Sequence, residues 1–193
     1  GYTIKLLARV QLVDGRLELS VRPTLIRQDR PLAQIHGPFN AILLDGDVVG
    51  TVWYSGRGAG QLPTASAVTA DIIDLAIGRA QLTFSCLDLW SEKSPFELAP
   101  QHETTSRYFL RLTVEDRPNV MAEVTGVLGR HGISLATVIQ PEAPEVVDST
   151  TIPRVPLIIM THRTSTGSLA AAERELDQLA AVHSPRMVLA VAD

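Results

Sequence analysis

Apolar and polar residues alternate along Leu17-Glu18-Leu19-Ser20-Val21-Arg22. This two-residue period marks a strand with one covered face. Residues 2–13 and 16–25 form two such β-rich runs around Asp14-Gly15, a dipeptide suited to the tight type I′ hairpin turn. Residues 39–44 and 48–54 repeat the arrangement around Asp45-Gly46-Asp47. Two hairpins in one region predict a largely antiparallel sheet. The period then lengthens: Val68, Ile72, Ile73, Leu75, Ala76 and Ile77 share one face of a predicted helix. Pro63 suits its first turn and Gly78 its end.

From 81 to 106 the pattern dissolves among prolines, charges and small polar residues, which predicts a linker. Phe84, Leu87, Leu89 and Trp90 could tack it onto a surface. Beyond it the periods sharpen again. Strands are expected over 108–114, 133–140, 155–162 and 187–191, and helices over 118–130 and 168–181, with Ser168 as N-cap of the second. The order βαββαβ is a ferredoxin-like unit, two helices on one face of a four-stranded antiparallel sheet. The expected class is therefore α+β: a hairpin-rich region with a helix over 1–80, a linker over 81–106, and a ferredoxin-like domain over 107–193.

Composition narrows the function classes. Of 193 residues, 45% are hydrophobic and 20% charged, as in ordinary folded proteins. A net charge of −4, scattered basic residues and 5% aromatics give no footprint for nucleic acid or an anionic membrane. Cys86 is the only cysteine, so there is no internal disulfide and no thiolate cluster for zinc. A reduced, cytoplasmic setting is expected. No HExxH or Gly-x-Ser-x-Gly occurs, which removes support for metalloprotease and hydrolase readings. The abrupt entry at Gly1 into a strand-like run reads as a cut through a longer protein.

Two stretches could carry chemistry. Gly56-Arg57-Gly58-Ala59-Gly60 runs into Pro63-Thr64-Ala65-Ser66, a glycine-rich turn ahead of a helix. Glycine lets a ligand approach the backbone, and a helix N-terminus favours anions. The spacing is neither Gly-x-Gly-x-x-Gly nor a P-loop, so a plain strand-to-helix turn also explains it. The second is Asp116-Arg117-Pro118-Asn119 between a strand and a helix. It can be a capping Asp with Pro in the first turn, or a ligand-binding turn. Asp71 and Asp74 read as a solvated helix edge, and His131 as a complement to a helix C-terminus.

The segments GYTIKLL, RGAGQLPTASAV, VEDRPNVMAEV and HGISLATVIQ, in this order, resemble the C-terminal part of bacterial homoserine dehydrogenase, including its ACT domain. The resemblance covers nearly the whole chain and is weakest over 81–106. It implies NAD(P) as the parent enzyme's cofactor, with Gly60 and then Gly58 nearest to it. It also implies that the proton-donating lysine lies upstream of GYTIKLL, Lys5 being a different residue, so this stretch alone has no catalytic residue and binds no cofactor tightly. In ACT domains the turn after the first strand often reads Asp-x-Pro-Gly and holds an amino acid. Here Asn119 replaces that glycine, the residue next best suited to left-handed backbone. The implied effector site comprises Asp116, Asn119, Val120 and Met121, with Thr137 and Gln140 as the other wall. Threonine is the implied effector, and homo-oligomers through the ACT domain and the hairpin sheet are the implied assembly. A non-enzymatic amino-acid-binding or pairing module is the alternative.

Overall fold

Both residues of the Asp14-Gly15 turn have positive φ, 50° and 76°, the geometry whose twist matches the strands it joins. Those strands pair in register from Tyr2↔Arg27 to Val13↔Arg16. The computed structural model describes residues 1–87, 96–142 and 152–192. In chain order its elements are β1 (Tyr2–Val13), β2 (Arg16–Arg27), a 3-10 turn (Pro31–Gln34), β3 (Phe39–Gly46), β4 (Gly50–Arg57), α1 (Gln61–Ala76), α2 (Arg79–Leu87), β5 (Glu97–Leu98), β6 (Thr105–Glu115), α3 (Val120–Arg130), β7 (Leu135–Ile139), β8 (Arg154–Thr161), β9 (Thr164–Ser165), α4 (Thr166–Leu176) and β10 (Val182–Ala192).

The chain divides into two units, Gly1–Arg27 with Phe96–Asp193, and Gln28–Pro95. In the first, the sheet order is β1-β2-β10-β6-β8-β7, with β5 on β2 and β9 on β6. The alternation of β6 puts Tyr108, Leu110, Leu112 and Val114 on its covered face. Val155, Leu157 and Ile159 of β8 extend that face. Val120, Val124, Val127 and Leu128 of α3, and Leu169, Ala172 and Leu176 of α4, close over it. Each large aliphatic side chain so buried contributes roughly 1.5–3 kcal/mol, and this is where the unit's stability sits. It is the ferredoxin-like arrangement expected from 107 onward.

The first hairpin, expected to share a sheet with the second, instead extends the ferredoxin-like one. Ala190, Val191 and Ala192 of β10 pair in parallel with Thr24, Leu25 and Ile26 of β2. The second hairpin, β3–β4, forms a sheet of its own. Its turn is at 47–49, two residues later than expected, and Gly50, the first residue of β4, takes φ 71°.

Several boundaries also moved. Helix α3 starts at Val120, not 118, because Asn119 stands in left-handed geometry at φ 79°. Helix α4 starts at Thr166, and its N-cap is Ser165, whose Oγ accepts from the Ser168 N–H at 3.0 Å; Ser168 itself lies inside the helix. Strand β10 begins at Val182, with its register shifted between His183 and Met187. The expected linker contains most of α2, whose Phe84 and Leu87 are exposed; Leu89 and Trp90 lie outside the described residues.

The second unit is built differently. Among its described residues Ala33 alone is buried. Helix α1 has no buried residue, and Val68, Ile72, Ile73 and Leu75 stand exposed. Its amphipathic pattern is real, but the described residues of this unit leave the apolar face uncovered. No helix is long and apolar enough to cross a membrane among the described residues.

Candidate functional site

The glycine loop leads from β4 into α1. Gly60 is the N-cap of α1 at φ 123°, with no side-chain cap, and its carbonyl accepts from the Thr64 N–H at 3.0 Å. Only glycine enters that region readily. A Cβ there would meet nothing closer than Pro63, at 3.4 Å. A side chain there would touch Pro63 without clashing, so it is the φ of 123° that calls for glycine, and first-turn N–H groups lack a cap. These are the properties an anionic cofactor group needs.

Gly58 differs. A Cβ on it would lie 1.9 Å from Nδ2 of Asn40, and its N–H donates to the Pro38 carbonyl at 2.9 Å. The space a side chain would use at Gly58 is taken by Asn40 of β3. Glycine at this position has a packing reason, one that sequence spacing alone does not reveal. Asp71 and Asp74 are exposed, and Asp74 pairs with Arg79 at 3.0 Å.

The second site is the turn between β6 and α3. The Asp116 N–H donates to the Pro153 carbonyl at 2.8 Å, and the Glu123 N–H to that of Asn119 at 2.9 Å. Asp116 does not cap α3; its Oδ1 accepts from Nε2 of Gln140 at 2.9 Å. Asp116 and Gln140 are thus brought together. Asn119, Met121 and Thr137 are exposed near them in the chain's course, whereas Val120 is buried in the core. Val120 therefore anchors the turn and leaves only its backbone for a ligand.

Sequence reasoning missed the groups that hold this turn. Arg117 Nε donates to Glu115 at 2.9 Å and its other arm to Glu123 at 3.3 Å, while His183 Nε2 lies 3.3 Å from Glu115. The Arg117 hydrogen bond, then that of His183, holds the Glu115 carboxyl below its ordinary range; the same pairing raises Arg117 further. The guanidinium spans the end of β6 and the first turn of α3, fixing the backbone between them. Glu123 in the first helical turn was the available signal. His183 lies in β10. At the other end of α3, His131 Nε2 is 2.7 Å from Glu175 of α4, beside Arg130 Nε at 3.0 Å.

Comparison with known proteins bears on both sites. The homoserine dehydrogenase family model matches residues 1–73 and the ACT domain model residues 108–181. Homoserine dehydrogenases of Neisseria gonorrhoeae and Pseudomonas aeruginosa are each 35% identical, over 96% of this chain and 42% of each relative. The crystal structure of a homoserine dehydrogenase from Thiobacillus denitrificans matches with a TM-score of 0.77 at 33% identity, over 100% of this chain and 43% of that one. The chain belongs to the homoserine dehydrogenase family. It corresponds to the C-terminal part, ACT domain included, and spans about two-fifths of the length of the curated relatives it matches. The homoserine dehydrogenase match thus contains the glycine loop, and the ACT match contains the Asp116–Gln140 pair. The first match also includes β1 and β2, which in space belong to the sheet of the ACT domain.

Proposed function

We propose that the chain serves a homoserine dehydrogenase, interconverting L-homoserine and L-aspartate 4-semialdehyde with NAD(P) in threonine and methionine biosynthesis, and that its ACT domain binds an amino-acid effector, threonine. The observation that carries this reading is the match to homoserine dehydrogenases across 96% of the chain. Gly60 is the residue set to approach the cofactor, its lack of a Cβ fitting a close backbone contact; Gly58 is the second, with Asn40 occupying the space beside it. When bound, the nicotinamide supplies the hydride chemistry. The proton donor belongs to the part of the family upstream of GYTIKLL, so these 193 residues do not turn over by themselves. The division 1–80, 81–106 and 107–193 describes the chain's functional parts under this reading.

Asp116 and Gln140 suit an effector's ammonium and hydroxyl groups, and the open N-terminus of α3 at Asn119 and Met121 suits its carboxylate. Thr137 on β7 completes the wall. Self-association is part of the proposal. Ile4, Leu6, Val10 and Leu12 of β1 share one exposed face with Leu19 and Val21 of β2, a continuous apolar ribbon that a second copy would cover. Neither nucleic acid nor membrane is a partner, and the setting is cytoplasmic.

A second reading is favoured by the exposed α1: this stretch by itself works as an amino-acid-binding or pairing module without enzymatic activity. An assay of homoserine-dependent NAD(P) reduction tests the first. The purified chain should show none, and turnover abolished by Gly60→Val would overturn that expectation. In a protein carrying the whole family length, Gly60→Val should abolish turnover, and unchanged kcat/KM would remove the cofactor role.

A further inference from the structure

We infer that the contact between the β1–β2 hairpin and the ACT domain is a regulatory joint, through which effector occupancy is felt by the dehydrogenase region; this rests on the ACT domain binding an effector.

The β2–β10 pairing spans only three residue pairs, so on backbone bonds alone it is a weak attachment. Side chains reinforce it at one spot. The Arg22 guanidinium lies over the Tyr108 ring, 5.5 Å from its centre, and donates to the phenol oxygen at 3.3 Å. That oxygen is 2.9 Å from Oγ1 of Thr166 at the start of α4, which is 2.9 Å from Oγ1 of Thr104. A chain of four polar groups therefore links β2, β6, α4 and the segment leading into β6. The buried polar residues among those described, Thr24, Thr104, Ser106, Thr161 and Thr164, all flank these strand ends. Elsewhere the core is aliphatic.

Such a seam has consequences that an apolar one lacks. Hydrogen bonds have discrete partners, so the seam has one good register and changes state by exchange of partners. Gly167 brings the start of α4 close to the segment before β6: its N–H donates to the His102 carbonyl at 2.9 Å, and a Cβ there would sit 2.9 Å from that same oxygen. Strand β10 runs from the effector turn to the hairpin. At one end His183 holds Glu115 beside the effector turn; at the other Ala190–Ala192 hold β2. Strand β2 runs on in the chain into the residues that lead to the glycine loop. Ordering of the turn by a ligand would tighten β10 and β6 and, through Tyr108 and Arg22, the hairpin. Spatial continuity alone does not demonstrate coupling, so the test must read both ends.

The experiment is hydrogen exchange on the full 193-residue chain with and without threonine, with a thermal melt as the independent measure of binding. The expected result is a threonine-dependent rise in melting temperature with exchange of the 16–27 amides slowed about fivefold or more, the lower end of ordinary coupling. Tyr108→Phe should keep the melting shift and lose the slowing at 16–27. Arg22→Met, which keeps the aliphatic stem on the surface, should do the same should Tyr108→Phe fold poorly. A melting shift without any change at 16–27 overturns the joint and leaves the effector reading standing. Slowing that persists undiminished in both variants also overturns it. No melting shift with threonine or related amino acids removes the effector reading, and the joint falls with it.

Discussion

The side-chain amide of Gln140 donates to the carboxylate of Asp116 at 2.9 Å, so the two walls of the proposed effector site satisfy each other in the free protein. A ligand ammonium must share Asp116 with Gln140 or displace it. Either way the carboxylate already has a partner before the ligand arrives, and binding exchanges or shares that partner.

Threonine at about 100 times its Kd should stabilise the chain by roughly 2.7 kcal/mol. Asp116→Ala should abolish that shift while costing the free protein only about 0.5–1.5 kcal/mol, the net worth of one hydrogen bond. A melt in which the variant keeps the full threonine response would exclude Asp116 from the site.

Asn119→Gly should leave the fold as stable or slightly more so, by up to about 1 kcal/mol, because left-handed backbone is strained for residues with a Cβ. Threonine affinity should be equal or tighter, since the side chain is gone from the ligand's space. Asn119→Val should destabilise by about 1–2 kcal/mol in urea unfolding. Equal stability of the Gly and Val variants would mean that the turn relaxes out of its φ of 79°.

Acid should loosen both ends of α3. Hydrogen bonds from Arg130, then His131, lower the Glu175 pKa, and those from Arg117, then His183, lower that of Glu115. A carboxylate with a depressed folded pKa contributes stability above its unfolded value, about 4.3, and loses it as pH falls through the folded value. Glu173 has the opposite sign, since burial raises its pKa against the pull of Arg186. Glu175→Gln should lower the melting temperature at pH 7, with the gap from wild type closing below about pH 4. A gap constant down to pH 3 would show that the ion pairs do not carry the effect.

The two units should respond differently to truncation of aliphatic side chains. Leu157 is fully buried in the ACT core, and Leu157→Ala should cost about 2–5 kcal/mol. Ile72 on α1 is 60% exposed, and Ile72→Ala should change stability by less than about 0.5 kcal/mol. A large effect at Ile72 in this chain would mean that self-association covers α1.

What could be read from sequence was local. Asp14-Gly15 announced its hairpin because positive φ at two successive residues restricts the residues allowed there. Leu110, Leu112 and Val114 announced β6 because a two-residue period has no helical equivalent. The pairing of Thr24–Ile26 with Ala190–Ala192 had no such signature. It joins strands more than 160 positions apart through main-chain groups, which every residue possesses. The N-cap of α4 slipped by three residues because Ser165 and Ser168 both suit the role, and only geometry decides which oxygen accepts. Among the site residues, Asp116 and Gln140 could be paired through the family motif. The Arg117 clamp could not, because a guanidinium between two carboxylates is usually only a solvated surface.

The parallel attachment of β2 to β10 decides how this protein can be cut. A piece beginning at residue 107 would leave the outer edge of β10 without Thr24–Ile26, and a bare strand edge invites sheet-to-sheet aggregation. The better minimal protein keeps 1–27, removes 28–95 and resumes at Phe96. Because Glu97 pairs beside Arg16, at the far end of β2 from Arg27, the replacement must run back along the strand, about 36 Å at roughly 3.3 Å per residue. A glycine-serine bridge of some 15–20 residues reaches that far without strain, and would yield a compact effector sensor free of the uncovered helix.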